Sequence, residues 1–321
     1  MYLQLHDLTI ELSSPDALVR AHWATMFAGW LRETAVAPAA IRLELRQQNA
    51  LPPLPTTPCL FTDDQPATAV PAILTVYDGA DDTVHLHFHD AGLVTVPLRS
   101  PAPDRPLAAH GVVIPDSWEN GRFEDVTFTS LAPLLRRHGY FLLHAFAAAL
   151  DGRAVLLVGA SGSGKTTSGL RLLLDGWELL SNDVVLLQVR ADGVYALAMP
   201  DMISIRPYTF QLLPELTRRL PFALNQAITV NAHSLTNGRW ATPARVTAVY
   251  FPQIGAQSAS ATAPLSRAVC LARLLEQSVD QWDTAVFSPH LALLQTLSQQ
   301  AALYTLHLGR DLNRLSDWVT G

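Results

Sequence analysis

An α/β fold is what this sequence predicts: an α/β domain over residues 126–321, preceded by an α+β domain over 1–125. Three observations carry that prediction. From residue 126 onward, short apolar runs alternate with segments of helical spacing, whereas the earlier part is mostly strand-like runs broken by Pro, Gly and Asp. Residues 154–170 pass from an apolar run through a glycine-rich turn directly into a helical pattern. A chain of 321 residues also exceeds what one small core serves.

In chain order, Tyr2–Leu12 reads as a strand, Ala17–Leu31 as an amphipathic helix and Ile41–Leu45 as a second strand. The prolines between Leu51 and Pro58 make an extended surface loop. Ala72–Tyr77 and Thr83–His89 are strand candidates, and Asp78-Gly79-Ala80-Asp81-Asp82 between them predicts a hairpin. Leu93–Leu98 adds a strand and Pro101–Pro106 a loop. His85, His87 and His89 fall on one face of their strand. Same-face neighbours lie about 6.5–7 Å apart and a metal needs ligand atoms at about 2 Å, so these histidines read as exposed or polar-packed rather than as a metal site.

Val126–Arg137 has helical spacing, Tyr140–Ala149 is an apolar run, and Asp151-Gly152 turns the chain into the strand 154–158. That strand breaks at Gly159, passes through Ala160, Ser161, Gly162 and Ser163, and closes on Gly164-Lys165-Thr166, with Thr167 next. Gly159 to Thr166 spell a complete phosphate-binding loop, the G-x-x-x-x-G-K-T pattern. Backbone N–H groups can converge on phosphate oxygens only where side chains are small and some residues take φ > 0, hence the glycines. The following helix turns its positive end to the anion; Lys165 would reach the β- and γ-phosphates of ATP, and the Thr166 hydroxyl would hold Mg²⁺. Lys165 is also the sole lysine among 22 basic residues, a compact ammonium kept where phosphate chemistry asks for one.

The helix Thr166–Asp175 ends at Gly176. Glu178–Leu187 then leads into the next strands, with Asp183 bordering an apolar run as expected of an acidic group facing a nucleotide and its metal. Tyr195–Ile205 reads as strand, turn and strand. Phe210–Leu220 reads as helical, Ala223–Gly238 as loop and Ala244–Phe251 as a buried strand. Gly255–Pro264 reads as mobile, Ser266–Gln277 and His290–Ser298 as helices and Leu303–Leu308 as a strand. In this scheme the sheet centres on 154–158 and 184–189, with ligands at the carboxyl ends of its strands.

Composition excludes several function classes. Apolar residues at 49% and charged residues at 16% describe a folded chain. A net charge of −6 without a Lys/Arg cluster argues against nucleic acid as a partner; Arg136-Arg137 and Arg218-Arg219 read as solvated helix faces. No apolar stretch is long enough for a membrane span and the N-terminus lacks the features of a secretion signal, so the expected location is cytoplasmic. Cys59 and Cys270 have no metal-ligand spacing and read as reduced structural residues.

His144, fifteen positions before Gly159, the loop itself, and Ser181-Asn182-Asp183 after the helix, with Asp183 eighteen positions beyond Lys165, together resemble the catalytic core of HPr kinase/phosphorylase and the HPr-kinase-related proteins. The likeness covers residues 140–190 closely and the remainder to 321 more loosely. It implies a P-loop nucleotide-binding domain like the C-terminal domain of HPr kinase. It further implies that Lys165 binds the β- and γ-phosphates, that Thr166 and Asp183 hold Mg²⁺, and that Asp183 accepts the acceptor's proton with His144 beside it. The activity implied is transfer of the γ-phosphoryl of ATP to a serine-type hydroxyl on a peptide, protein or small molecule. The enzymes that name the family are hexamers, so a homo-oligomer is among the assemblies the resemblance allows, and the N-terminal domain is a candidate for substrate or partner binding. Departures accompany it. Asn182 stands where the family has a first aspartate, and no Glu occurs near Ser204-Ile205-Arg206, where the family has one that helps hold the metal; Asp201 is a candidate substitute, and Arg206 is a candidate phosphate contact. A second reading is therefore a nucleotide-binding module that regulates a partner without chemistry. A transporter-type ATPase lacks support, because Leu235-Thr236-Asn237-Gly238 is a poor match to the Leu-Ser-Gly-Gly-Gln signature of that class.

Overall fold

The computed structural model describes residues 1–63, 73–119, 121–220, 225–278 and 282–319, and its architecture is mixed α/β. Two compact units divide the chain: Met1–Gly139 with Asp280–Val286, and Tyr140–Val279 with Phe287–Gly321.

The first unit contains β1 (Tyr2–Leu5), β2 (Leu8–Ser13), α1 (Ala17–Met26), β3 (Leu31–Arg32), β4 (Ile41–Gln47), β5 (Cys59–Thr62), β6 (Leu74–Asp78), β7 (Thr83–Phe88), β8 (Gly92–Pro97), β9 (Leu107–Val113) and α2 (Arg122–Arg137). Its strands form one mixed sheet in the order β3-β1-β2-β4-β9-β8-β7-β6-β5. β2, β4 and β9 run parallel, and the remaining pairs are antiparallel. Where one strand was expected over Tyr2–Leu12 there is a hairpin turned at His6, with φ 56, because Leu3, Leu5, Leu8, Ile10 and Leu12 are all buried only when the strand folds back. The first helix stops at Met26 rather than Leu31. Gly29, at φ 82, takes the left-handed conformation that lets the chain turn back to pair with β1. The hairpin around residues 78–82 forms as its turn residues dictate. Of the strand expected over Ala72–Tyr77, Ala72 lies outside the described residues.

Two expectations for this unit change. The division falls after Gly139 rather than at 125, since α2 lies on β4, β8 and β9 and buries Phe123, Val126, Leu131, Leu134 and Leu135. Arg136 and Arg137 are not solvated: both are almost fully buried around an equally buried Asp283. Arg137 donates to both carboxylate oxygens at 2.9 Å, and Arg136 to one at 3.4 Å. The histidine face is polar-packed, His85 Nδ1 lying 2.9 Å from Thr95 Oγ1 and His89 Nε2 2.8 Å from Thr75 Oγ1. Among the described residues, no group of three or more His, Cys, Asp and Glu could hold a metal ion.

The second unit contains β10 (Phe141–Leu150), β11 (Arg153–Val158), α3 (Lys165–Leu174), β12 (Glu178–Ser181), β13 (Val184–Arg190), β14 (Gly193–Leu197), β15 (Met202–Ile205), α4 (Pro207–Leu212), β16 (Ile228–Asn231), α5 (Ala232–Leu235), β17 (Ala244–Ile254), β18 (Ala261–Pro264), α6 (Arg267–Glu276), most of α7 (Thr284–Gln300) and β19 (Ala302–Leu308). The main sheet runs β11-β10-β13-β14-β17-β19-β18, with β12 also on β10 and β11 also on β17. β10 lies between β11 and β13, antiparallel to both, so the two strands expected to form the centre are not neighbours. β11, β17 and β19 are parallel, so their carboxyl ends, Val158, Ile254 and Leu308, point the same way. The segment Gly255–Pro264 is not loop throughout, since Ala261–Pro264 pairs with β19. α7 begins six residues before the expected His290 and carries Pro289 inside it.

Leu170 and Leu172 of α3 share a core with alternate residues of β10 and β11, Phe146, Ala148, Val155 and Leu157. Ala145, Ala147, Ala148 and Ala149 keep β10 thin, and Gly169 of α3 comes directly against the Phe146 ring. Such close helix-to-strand packing fixes α3, and with it the loop at its start. Cys59 is exposed and Cys270 buried, both as free thiols, and burial pushes the Cys270 thiol up to about 12. No helix among the described residues is long and apolar enough to cross a membrane.

Candidate functional site

The stretch 159–164 joins β11 to α3 with no regular structure. Gly162 at φ 83 and Gly164 at φ 100 take left-handed conformations that other residues rarely adopt. Gly164 has a second constraint, because a Cβ there would lie 2.6 Å from Leu308 Cδ1. Among the described residues no side chain caps the N-terminus of α3, which leaves its first backbone N–H groups for another acceptor, an arrangement suited to an anion.

Register brings the other residues to this loop. The β10–β11 pairing sets Ala145 opposite Val158, so His144 stands level with the start of the loop. β10 also pairs with β12 as far as Ala147–Ser181 and with β13 from His144–Val184. Asn182 and Asp183 are the step between those strands, and Ala145 N donates to Asp183 O at 2.9 Å. Thus His144, Lys165 and Asp183 meet.

Lys165 is 5% exposed. Its Nζ donates to Gly159 O at 2.5 Å and Ala160 O at 3.2 Å, and lies 2.9 Å from His144 Nε2. An ammonium can only donate, so Nε2 accepts and the imidazole proton sits on Nδ1, which faces Asp183 Oδ1 at 3.4 Å. A neutral His144 follows from this geometry. Burial holds its pKa below the usual histidine value, with Asp183 pulling upward and Lys165 downward. Burial likewise lowers the Lys165 ammonium, opposed by the Asp183 charge. Asp183 itself remains about half exposed, at 53%.

Behind Asp183 lies Asp201, buried, whose Oδ2 accepts from Asp183 N at 3.2 Å. Burial first, and then the Asp183 charge, push its carboxyl well above the usual range, opposed by the backbone N–H groups of Asp183 and Asn182. Among the described residues, Asp201 Oδ1, Asn182 Oδ1 and Ser163 Oγ are buried without a hydrogen-bond partner.

A cavity of about 430 Å³ collects these groups. Ser161, Gly162, Gly164, Lys165, Thr166 and Thr167 line it from the loop and helix, together with His144, Asn182 and Asp183. Gly159, Ala160 and Ser163 do not line it; the first two serve through the carbonyls that hold Lys165, and the Ser163 hydroxyl is buried. The cavity also takes in residues that the motif does not announce: Met202, Ser204, Tyr208, Thr209 and Ile254, along with Arg206. Thr209 Oγ1 lies 2.9 Å from Thr167 Oγ1. Their one sequence signal is alternation, since Ile203 and Ile205 are buried while Ser204, Arg206 and Tyr208 are exposed.

For a divalent cation the available donors are the Thr166 hydroxyl, the Asp183 carboxylate and the partnerless Asn182 Oδ1, all on residues of this cavity. Hard oxygen donors with a single carboxylate suit Mg²⁺, which ordinarily completes its shell with water and substrate phosphate. Asp201 contributes less, being buried and pushed toward its neutral form. No family model and no curated protein matches the chain.

Proposed function

We propose that the second unit is a P-loop kinase of the HPr-kinase-like group, an ATP-dependent phosphotransferase acting on a serine-type hydroxyl of a peptide, protein or small molecule. The observation that carries this reading is the contact chain from Lys165 to His144 at 2.9 Å and from His144 to Asp183 at 3.4 Å, along the wall of one cavity. Transfer to a hydroxyl needs a cation on the phosphates and a group to accept the hydroxyl proton, roles that Lys165 and Asp183 fit, with the neutral His144 between them. In this scheme the loop amides and Lys165 hold the β- and γ-phosphates of ATP, and Thr166 and Thr167 flank them at the start of the helix. Asp183 accepts the proton of the acceptor hydroxyl as its oxygen bonds to the γ-phosphorus; the bond to the β-phosphate oxygen breaks and its electron pair leaves with ADP. His144 Nδ1–H orients the Asp183 carboxylate. A carboxylate is a weak base, yet a loose transition state demands little proton abstraction until late. Mg²⁺, when bound by Thr166, Asp183 and Asn182, supplies charge neutralisation at the phosphates. A cytoplasmic setting, with neither nucleic acid nor membrane as partner, belongs to the same reading.

The competing reading is an ATP-binding regulatory module, favoured by Asn182 in place of an acidic residue and by the buried Asp201. Transfer of labelled γ-phosphate from MgATP to free serine, serine peptides and cell extract separates them. A kinase labels an acceptor with wild type and not with Lys165→Ala or Asp183→Asn. ATP binding without label on any acceptor leaves the module.

A further inference from the structure

We infer that Tyr208 and Ile254 form an apolar clamp for the flat base of the nucleotide, so that the site takes a nucleoside triphosphate and not merely a polyphosphate. This rests on the phosphate-site reading given above and extends it to the other end of the ligand.

The two side chains are unusual in their exposure. Tyr208 is 64% and Ile254 67% exposed, and both line the cavity that holds Lys165. The Tyr208 ring has no hydrogen-bond or ring partner among the described residues, and its neighbours in the chain, Pro207 and Thr209, are more buried than it is. A large aromatic side chain held out from the first turn of α4 into this cavity stays in water unless a ligand covers it.

The wall that carries Tyr208 has a direction. At one end Asp201 accepts from the Asp183 N–H at 3.2 Å; at the other Thr209 meets Thr167 at 2.9 Å. Between these anchors Met202, Ser204, Arg206 and Tyr208 line the cavity in turn. The reacting end of a triphosphate belongs at Asp183, and the middle belongs with Lys165 and the start of α3. The remainder of the ligand then leaves past Thr167, against which Thr209 sets the start of α4 with its neighbour Tyr208. Ile254, the last residue of β17, lines the same cavity beside the loop, with its Cγ1 3.6 Å from where a Cβ on Gly164 would stand. One aromatic and one branched apolar side chain beside a phosphate site suit a nucleobase, which stacks through its π-face and needs no sequence of polar contacts to do so.

Isothermal titration with MgATP and with magnesium tripolyphosphate tests the clamp, using full-length wild type, Tyr208→Ala, Tyr208→Phe, Ile254→Ala and Lys165→Ala. Tyr208→Ala is expected to weaken ATP by about 5- to 140-fold, the range of an aromatic–base stack, and to leave tripolyphosphate within about 2-fold. Tyr208→Phe keeps the ring and keeps ATP affinity, and Ile254→Ala shifts ATP alone in the same direction as Tyr208→Ala. Unchanged tripolyphosphate binding also certifies that the Tyr208 and Ile254 variants are folded. The clamp is overturned if Tyr208→Ala leaves ATP affinity intact, or weakens both ligands equally, while Lys165→Ala weakens both. It is equally overturned if Tyr208→Ala raises the KM of a phosphate acceptor with ATP affinity unaltered, which would give that wall to the acceptor. Failure of wild type to bind either ligand would instead overturn the phosphate-site reading, and the clamp with it.

Discussion

Gly169→Ala is expected to destabilise the second unit by about 2 kcal/mol, against the ordinary trend for a glycine inside a helix. By propensity alone the change would stabilise α3 by about 1 kcal/mol. Packing opposes it. A methyl at this position would stand well inside contact distance of Cε2, Cδ2 and Cε1 of Phe146, a ring that is 0% exposed. Overfilling a well-packed core costs about 1–3 kcal/mol, and three ring atoms meeting one methyl place this case at the upper end. Subtracting the propensity gain leaves about 2 kcal/mol. Urea unfolding followed by far-UV circular dichroism reads the midpoint directly. Phe146→Leu in the Gly169→Ala background should recover at least about 1 kcal/mol relative to the sum of the single changes, because the two sites touch. A higher urea midpoint for Gly169→Ala would refute the claim that α3 is held against β10 by the absence of a side chain.

Three further outcomes follow from the same geometry. Gly164→Ala meets both φ 100 and the Leu308 side chain; it should cost about 1–3 kcal/mol in urea unfolding and reduce tripolyphosphate binding more than Tyr208→Ala does. Asp201→Asn retains an oxygen for the Asp183 N–H and removes a buried carboxyl, so stability at pH 7 should hold or rise. Asp201→Ala leaves that donor unpaired and should lose about 1–3 kcal/mol. Because the folded Asp201 pKa is raised, wild type should lose stability as pH climbs from about 4 through the raised value, a slope that Asp201→Asn flattens. His144 is shifted the other way: its contribution is present above the unfolded value of about 6.5 and is lost as pH falls toward the lowered folded value. Because the Asp201 slope runs the opposite way, the difference between wild type and His144→Gln in urea midpoints across pH 5–8 isolates this one: His144→Gln should lose less stability than wild type as pH falls.

What could be read in advance was local. The glycine-rich loop, the helix after it with its Gly176 terminus, and the hairpin at Asp78–Asp82 are each specified by residues adjacent in sequence, through positive φ or turn chemistry. The turn at His6-Asp7 carries no glycine or proline and was invisible in an apolar run, and Pro289 disguised the interior of α7 as a helix start. Arg136-Arg137 looked solvent-facing because their partner, Asp283, is more than a hundred residues away. The site divides in the same manner. Lys165 and Thr166 are legible from the loop pattern. The approach of His144 to Asp183 depends on β10 pairing with β11, β12 and β13 at once, a register that no local pattern encodes. Tyr208 and Ile254 reach the cavity through strand direction and the Thr167–Thr209 contact, so no motif names them.

In the proposed reaction Asp183 acts on an acceptor hydroxyl while Lys165 holds the phosphates. Single-turnover transfer from γ-labelled MgATP, measured beside ATP binding in wild type and Asp183→Asn, addresses it most directly. Asp183→Asn should keep ATP affinity within a few-fold and reduce label transfer about 10²- to 10⁴-fold, the range for loss of a general base. Transfer by Asp183→Asn at the wild-type rate would contradict it.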